Sequence, residues 1–227
     1  MISQTLTIAR KDIKTGFRTG EIIFFMAFFP FFILVTFYFA FEFYEIEQEE
    51  LDPLVSPILW TTSCLAGIFG LFTSFSKERD LGSLGGLFLC PMDRSAIYFG
   101  KVISNYFLIL LIDTLSVILF AWFFQFDYHG NILSILVVVF FGTFCFVISA
   151  TLMMGIGMNS RSIRGMLLSL LLVPIILLTV LMPSINATSK ALEGKILDAI
   201  PELRILVALA FVFIAIAYLS FDYIVEE

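Results

Sequence analysis

The sequence predicts an all-α integral membrane protein: six transmembrane helices, an amino-terminal amphipathic interfacial helix, and a short cytoplasmic segment between the second and third spans. Three observations carry this. Hydrophobic residues make up 60% of the chain and charged residues 14%, against about 45–50% and about 25% in ordinary soluble domains, so there is too little polar surface to coat a globule in water. Six windows are nearly free of charge and long enough to cross about 30 Å of hydrocarbon, which takes about 20 helical residues. The basic residues gather on one side once those windows alternate across the bilayer.

Residues 1–20 come first. Ile2, Leu6, Ala9, Ile13 and Phe17 recur at near-helical spacing, with Arg10, Lys11, Lys14 and Arg18 mostly elsewhere around the helix. That is the pattern of a helix lying in the headgroup region with its basic residues on lipid phosphates; a cytoplasmic flank that merely obeys the positive-inside rule would share the basic residues.

The spans follow at 22–41, 53–76, 102–126, 131–160, 165–189 and 205–221. The first is too long for the apolar core of a signal peptide and no A-x-A pattern follows it, which argues against cleavage. Asp113 alone interrupts the third. Pro30 and Pro174 sit within spans, where each removes a backbone donor and permits a kink. The 28 phenylalanines are spread through every span and read as bulky lipid-facing packing rather than a cofactor box.

Lysine and arginine set the orientation, because they remain on the cytoplasmic side. Arg10, Lys11, Lys14, Arg18, Lys77, Arg79, Arg94, Lys101, Arg161 and Arg164 fall on one side of six alternating spans; Lys190, Lys195 and Arg204 fall on the other. Both termini are therefore expected in the cytoplasm and the acidic stretch 45–52 outside. The run 77–94, KERDLGSLGGLFLCPMDR, is too charged and too rich in glycine to lie in lipid, so it sits at the cytoplasmic surface, where a soluble partner can grip the protein. On the outer side, 182–204 is the longest polar connection. Its Ile196, Leu197 and Ile200, ahead of Pro201, suit either a short helix at the outer interface or a plain surface loop. The sequon Asn186-Ala187-Thr188 adjoins the membrane and is discounted.

Residues that could carry chemistry are few. The chain has no G-x-x-x-x-G-K-[ST], so if it depends on ATP another chain hydrolyses it. Cys64, Cys90 and Cys145 are widely spaced, without C-x-x-C, and imply neither a disulfide nor a metal site. His129, the single histidine, stands in an outer loop beside Gly130 and is a weak candidate for a heme or metal ligand. Asp113 is costly inside a span and has two readings: a polar site on a translocation or proton path, or a structural hydrogen bond to a neighbouring helix, helped by Thr114 or Ser116. No second acid, base or nucleophile accompanies it at helical spacing, so intramembrane catalysis is not supported. Gly67, Gly70, Gly155 and Gly157 permit close helix approach.

Glu78, Gly82, Leu84, Leu87 and Pro91 form the series E-x-x-x-G-x-L-x-x-L-x-x-x-P, which resembles the loop between the second and third spans of ABC-2 type transporter permeases. The chain as a whole resembles one branch of these, the heme exporter protein B family (CcmB). The likeness extends over length, six spans, the basic amino-terminal helix followed by Gly20-Glu21, and Ser56-Pro57-Ile58-Leu59-Trp60 opening the second span. It continues through Gly100-Lys101-Val102 at the third span, and through Arg164-Gly165-Met166-Leu167-Leu168-Ser169 and Leu172-Val173-Pro174 at the fifth. Gly85 and Gly86 depart from it, standing where the family usually has an acid and a polar residue.

The resemblance implies a single permease domain without its own ATPase site, in the inner membrane, whose segment 77–94 is a coupling helix seated in a separate ATP-binding subunit. Glu78, Gly82, Leu84, Leu87 and Pro91 would make that contact, with Arg161 and Arg164 of the neighbouring loop as a second one. It further implies heme as cargo rather than bound cofactor, ATP bound by the partner, heme-handling membrane subunits, an extracytoplasmic heme chaperone, and a second permease half from the same or a different chain. An ABC-2 permease exporting a drug, lipid or glycan would share the coupling segment; a membrane scaffold without a transport cycle would not need it.

Overall fold

The protein is described by a computed structural model over residues 2–44, 48–80, 94–124, 132–159 and 163–224, with side chains excepted at 19, 48–49, 77–80, 94, 156–159, 163–177 and 220–224. Among these residues there are seven α-helices and no strand: α1 (Ile2–Thr19), α2 (Glu21–Phe43), α3 (Gln48–Asp80), α4 (Arg94–Phe124), α5 (Ile132–Asn159), α6 (Ile163–Leu192) and α7 (Ile200–Ile224), the last preceded by a 3-10 turn, Ile196–Ala199. Among the described residues, five segments are long and apolar enough to cross a membrane: Glu21–Phe43, Glu50–Ser76, Ser95–Phe124, Ile132–Gly155 and Ile196–Leu219. The fifth predicted window, 165–189, falls on α6, much of whose side-chain structure lies outside the described residues. So does most of 77–94, between the end of α3 and the start of α4.

Local signals explain the breaks that are described. Gly20, at φ 66°, separates α1 from α2 with a left-handed residue that costs only glycine nothing. Glu21 then sits in the first turn of α2, where a negative charge complements the helix dipole. Helix α6 ends in a Schellman turn: Gly194, at φ 76°, donates to the Ala191 carbonyl at 3.1 Å and Lys195 donates to the Lys190 carbonyl at 2.9 Å.

The stretch expected as an outer connection, 182–204, is therefore largely helical. Helix α6 runs through Pro183 as far as Leu192, and α7 opens with Pro201 as its second residue, where the missing donor is no loss. Lys190 closes the hairpin, its ammonium donating to Glu202 Oε1 at 2.6 Å and to the Asp198 carbonyl at 3.0 Å. Pro183 is tolerated inside α6 because the rest of the helix satisfies its own backbone, as a low-dielectric setting requires.

Two apolar clusters fill the bundle. Ile22, Met26, Leu71, Phe75, Tyr98 and Val102 belong to the cluster at one end, and Leu34, Val55, Trp60, Phe120, Ile135 and Ala187 to the cluster at the other. Each of α2 to α5 contributes opposite halves to the two clusters, as an alternating up-and-down bundle requires. Tyr98 ties α4 to α5, its hydroxyl donating to the Ile148 carbonyl at 2.9 Å. Gly67 makes room for the Phe146 ring, where any Cβ would collide with it.

Helix α1 docks on the start of α4. Thr5, Ile8, Ala9 and Gly16 are buried there, and a Cβ on Gly100 would stand 2.8 Å from Ile8. Asp12 lies 3.7 Å from the ammonium of the buried Lys101, which also sits 4.8 Å above the Phe75 ring of α3. Of the predicted apolar stripe, Ala9 is buried and Ile13 half-buried. Ile2, Leu6 and Phe17 remain exposed, alongside the exposed Arg10, Lys11, Lys14 and Arg18.

Candidate functional site

Between the two apolar clusters lies a polar layer, and Asp113 is its centre. Ile112 belongs to one cluster and Val117 to the other, so α4 passes from the first to the second at this residue. Asp113 is 4% exposed. Thr143 of α5 donates its hydroxyl proton to Asp113 Oδ2 at 2.6 Å, the short distance expected of a hydrogen bond to a carboxyl group. Ser63 of α3 faces the same carboxyl at close range, its hydroxyl a second donor toward it. Asp113, Ser63 and Ser116 line a cavity of about 10 Å³ together with Trp60, Val139 and Thr188.

The layer continues along the seam of α3 and α6. Ser56, Trp60 and Ser63 fall on one face of α3 at i, i+4 and i+7. The Trp60 indole donates to Thr188 Oγ1 at 2.8 Å, Ser189 donates to Ser56 Oγ at 3.0 Å, and Thr188 and Ser184 each return a proton to their own helix at 2.8 Å. The indole can lie there because Gly142 of α5 has no side chain. A Cβ at that position would collide with Trp60 Cη2 and come within 2.7 Å of Cζ2. Small hydroxyl residues and one glycine thus let four helices approach closely inside an apolar bundle, with interhelical hydrogen bonds in place of a hydrophobic drive.

What this arrangement can do is hold helices in register. It offers one carboxyl, several hydroxyls and an indole donor, with no nucleophile activated by a base. Among the described residues no group of three histidine, cysteine, aspartate or glutamate side chains could hold a metal ion. Cys64 and Cys145 are buried free thiols. Thr114 and Ser116, which the sequence offered as links to a neighbouring helix, instead donate to the Leu110 and Ile112 carbonyls of α4 itself, at 2.8 and 2.9 Å. The interhelical partner is Thr143, which the sequence reading did not single out.

The remaining predicted site residues lie outside what is described. Glu78 belongs to α3 and Arg164 to α6 by backbone only, and Gly82, Leu84, Leu87, Pro91, His129 and Arg161 fall between described segments. The residues that sequence reasoning missed, Ser63, Thr143 and Thr188, are hydroxyls within predicted membrane spans, a signal they share with several other serines and threonines of the same helices.

The family model described as CcmB protein matches residues 3–226 of the chain. A search of the curated proteins finds no match.

Proposed function

The chain belongs to the CcmB family, and from that membership we propose that it is the permease subunit of an ABC transporter complex that handles or exports heme for cytochrome c maturation. The observation that carries this reading is the extent of the match, 3–226, on a chain whose described residues include five membrane-length apolar helices. Membership supports a membrane permease rather than an enzyme, and a multi-pass location in the inner membrane. In this reading α6 is the fifth of six spans, and both termini face the cytoplasm on the strength of the lysine and arginine distribution.

ATP is hydrolysed by a separate subunit, which seats the segment 77–94 through Glu78, Gly82, Leu84, Leu87 and Pro91, with Arg161 and Arg164 as a second contact. Closure of the ATPase pair presses on that segment and tilts α3 and α4, the helices that flank it. The tilt is driven only by contacts that differ between the two ATPase states. Its output is delivery of heme to an extracytoplasmic chaperone or release of the loaded chaperone, together with other heme-handling membrane subunits. A second permease half, a further copy or a different chain, completes the complex. Asp113 acts in this reading as a structural joint rather than as a heme contact, because its carboxyl faces hydroxyls of the bundle in a cavity of about 10 Å³.

Co-purification tests the coupling. The double variant Glu78→Ala, Leu84→Asp should lose association with the ATP-binding subunit while still inserting in the membrane; association at the wild-type level would overturn the assignment of 77–94.

A further inference from the structure

We propose that the groove between α5 and α7 is a binding site for one phospholipid, with an acyl chain in the groove and the headgroup phosphate on Arg204. The groove holds about 270 Å³. Phe141 and Phe144 form its α5 wall, and Leu206, Ala210 and Ile214 its α7 wall. None of these side chains carries a polar group, so nothing in the groove can replace the hydrogen bonds that a polar occupant would give up. Left empty, the walls lose the dispersion contacts of close packing, and in a bilayer the hydrocarbon at hand to restore them is an acyl chain.

The charge at the mouth of the groove selects the headgroup. Val207 and Phe211, which also border the groove, follow Arg204 at i+3 and i+7 and so share its face of α7. Arg204 is exposed and, among the described residues, forms no ion pair. Two acids of the adjoining hairpin are engaged elsewhere, Glu202 with Lys190 at 2.6 Å and Glu193 with Lys195 at 2.8 Å. A guanidinium left open in this way is a fork for two phosphate oxygens. Arg204 and Ile214 stand about 15 Å apart along the helix, the depth of one leaflet in a hydrocarbon core about 30 Å thick. The site therefore matches a phospholipid end to end, with the phosphate at the rim and the chain running toward the bilayer middle.

A helix of another subunit is the rival occupant. Close helix packing uses small residues that let backbones approach, and Ala210, at 3% exposure, is the one small residue of this lining. The other lining residues are bulky, with Phe211 67% exposed at the lip, and the slot they leave suits a flexible chain better than a rigid helix. A lipid seated there braces α7 against α5. The site stands whatever cargo the chain serves, since it rests on the shape of the groove and the charge beside it.

Photo-crosslinking of the full chain in native membranes tests the site. Benzoylphenylalanine in place of Phe211 should capture a phospholipid, identified by mass spectrometry of the purified chain, and Arg204→Gln should cut that adduct several-fold. The same probe in place of Phe32, exposed on α2, reports bulk lipid and should be indifferent to Arg204→Gln, which also shows that the variant still folds and inserts. A Phe211 adduct that falls no more than the Phe32 adduct would mean passing lipid rather than a site. Capture of a second copy of the chain or of another membrane subunit would mean a protein interface. An adduct without phosphate would mean that Arg204 holds no headgroup. Any of the three overturns the proposal.

Discussion

Asp113 is held by hydroxyls: Thr143 donates to it at 2.6 Å, and Ser63 faces the same carboxyl. An acid stabilised in this way is sensitive to loss of a single donor. Thr143→Val keeps the shape of the side chain and removes the proton, so it should lower stability by about 1–3 kcal/mol, seen as an earlier thermal unfolding midpoint, while Thr114→Val, whose hydroxyl bonds only its own helix, should change it little. Asp113 was legible in the sequence because a charge stands out in a span. Its partners were not. Thr143 is 30 residues away, and which hydroxyl of which helix turns toward the acid depends on helix rotation, which composition does not encode. The nearer hydroxyls, Thr114 and Ser116, were the obvious choices and are the ones that bond the preceding turn of α4, as serine and threonine in helices commonly do.

At the scale of elements, hydropathy located the membrane-length helices well, since each needs only length and apolar content. Boundaries were harder. The predicted fifth span, 165–189, and the outer connection, 182–204, overlap at Pro183, Ser184, Asn186 and Thr188; α6 carries on through them to Leu192, with Ser184 and Thr188 hydrogen-bonded within the bundle. Helix α1 was legible as amphipathic but not as docked, because Thr5, Ile8 and Gly16, which lie outside the predicted stripe, are buried on the face that meets α4 together with Ala9. Its docking rests on the bare backbone of Gly100, where a Cβ would meet Ile8 at 2.8 Å and the Thr5 carbonyl at 3.1 Å. Gly100→Val should therefore lift α1 from α4. In inverted membrane vesicles, which expose the cytoplasmic face, trypsin should cut the variant at Arg10, Lys11 and Lys14 several-fold faster than the wild type. Equal rates would show that α1 does not depend on this contact, and cleavage only in right-side-out vesicles would reverse the orientation.

Over the whole molecule, the bundle divides into two apolar halves with a polar layer between them. Helices α2 and α7 leave much of their apolar surface exposed, including Phe24, Phe32, Phe39, Phe211 and Leu219, as expected for surfaces that meet lipid or another subunit. The helices flanking 77–94 are α3 and α4, and both contribute to the polar layer at its centre, through Ser63 and Asp113. In the proposed coupling, a push on that segment would reach the middle of the bundle along those two helices. The sequence alone carried the family resemblance through motifs scattered in order along the chain, whereas the polar layer emerged only when α3, α4, α5 and α6 were brought together. If this chain serves heme delivery for cytochrome c maturation, as proposed, cells that lack it should lose the heme covalently attached to their c-type cytochromes, and regain it with the wild-type chain but not with the Glu78→Ala, Leu84→Asp variant; normal cytochrome maturation without the chain overturns that role.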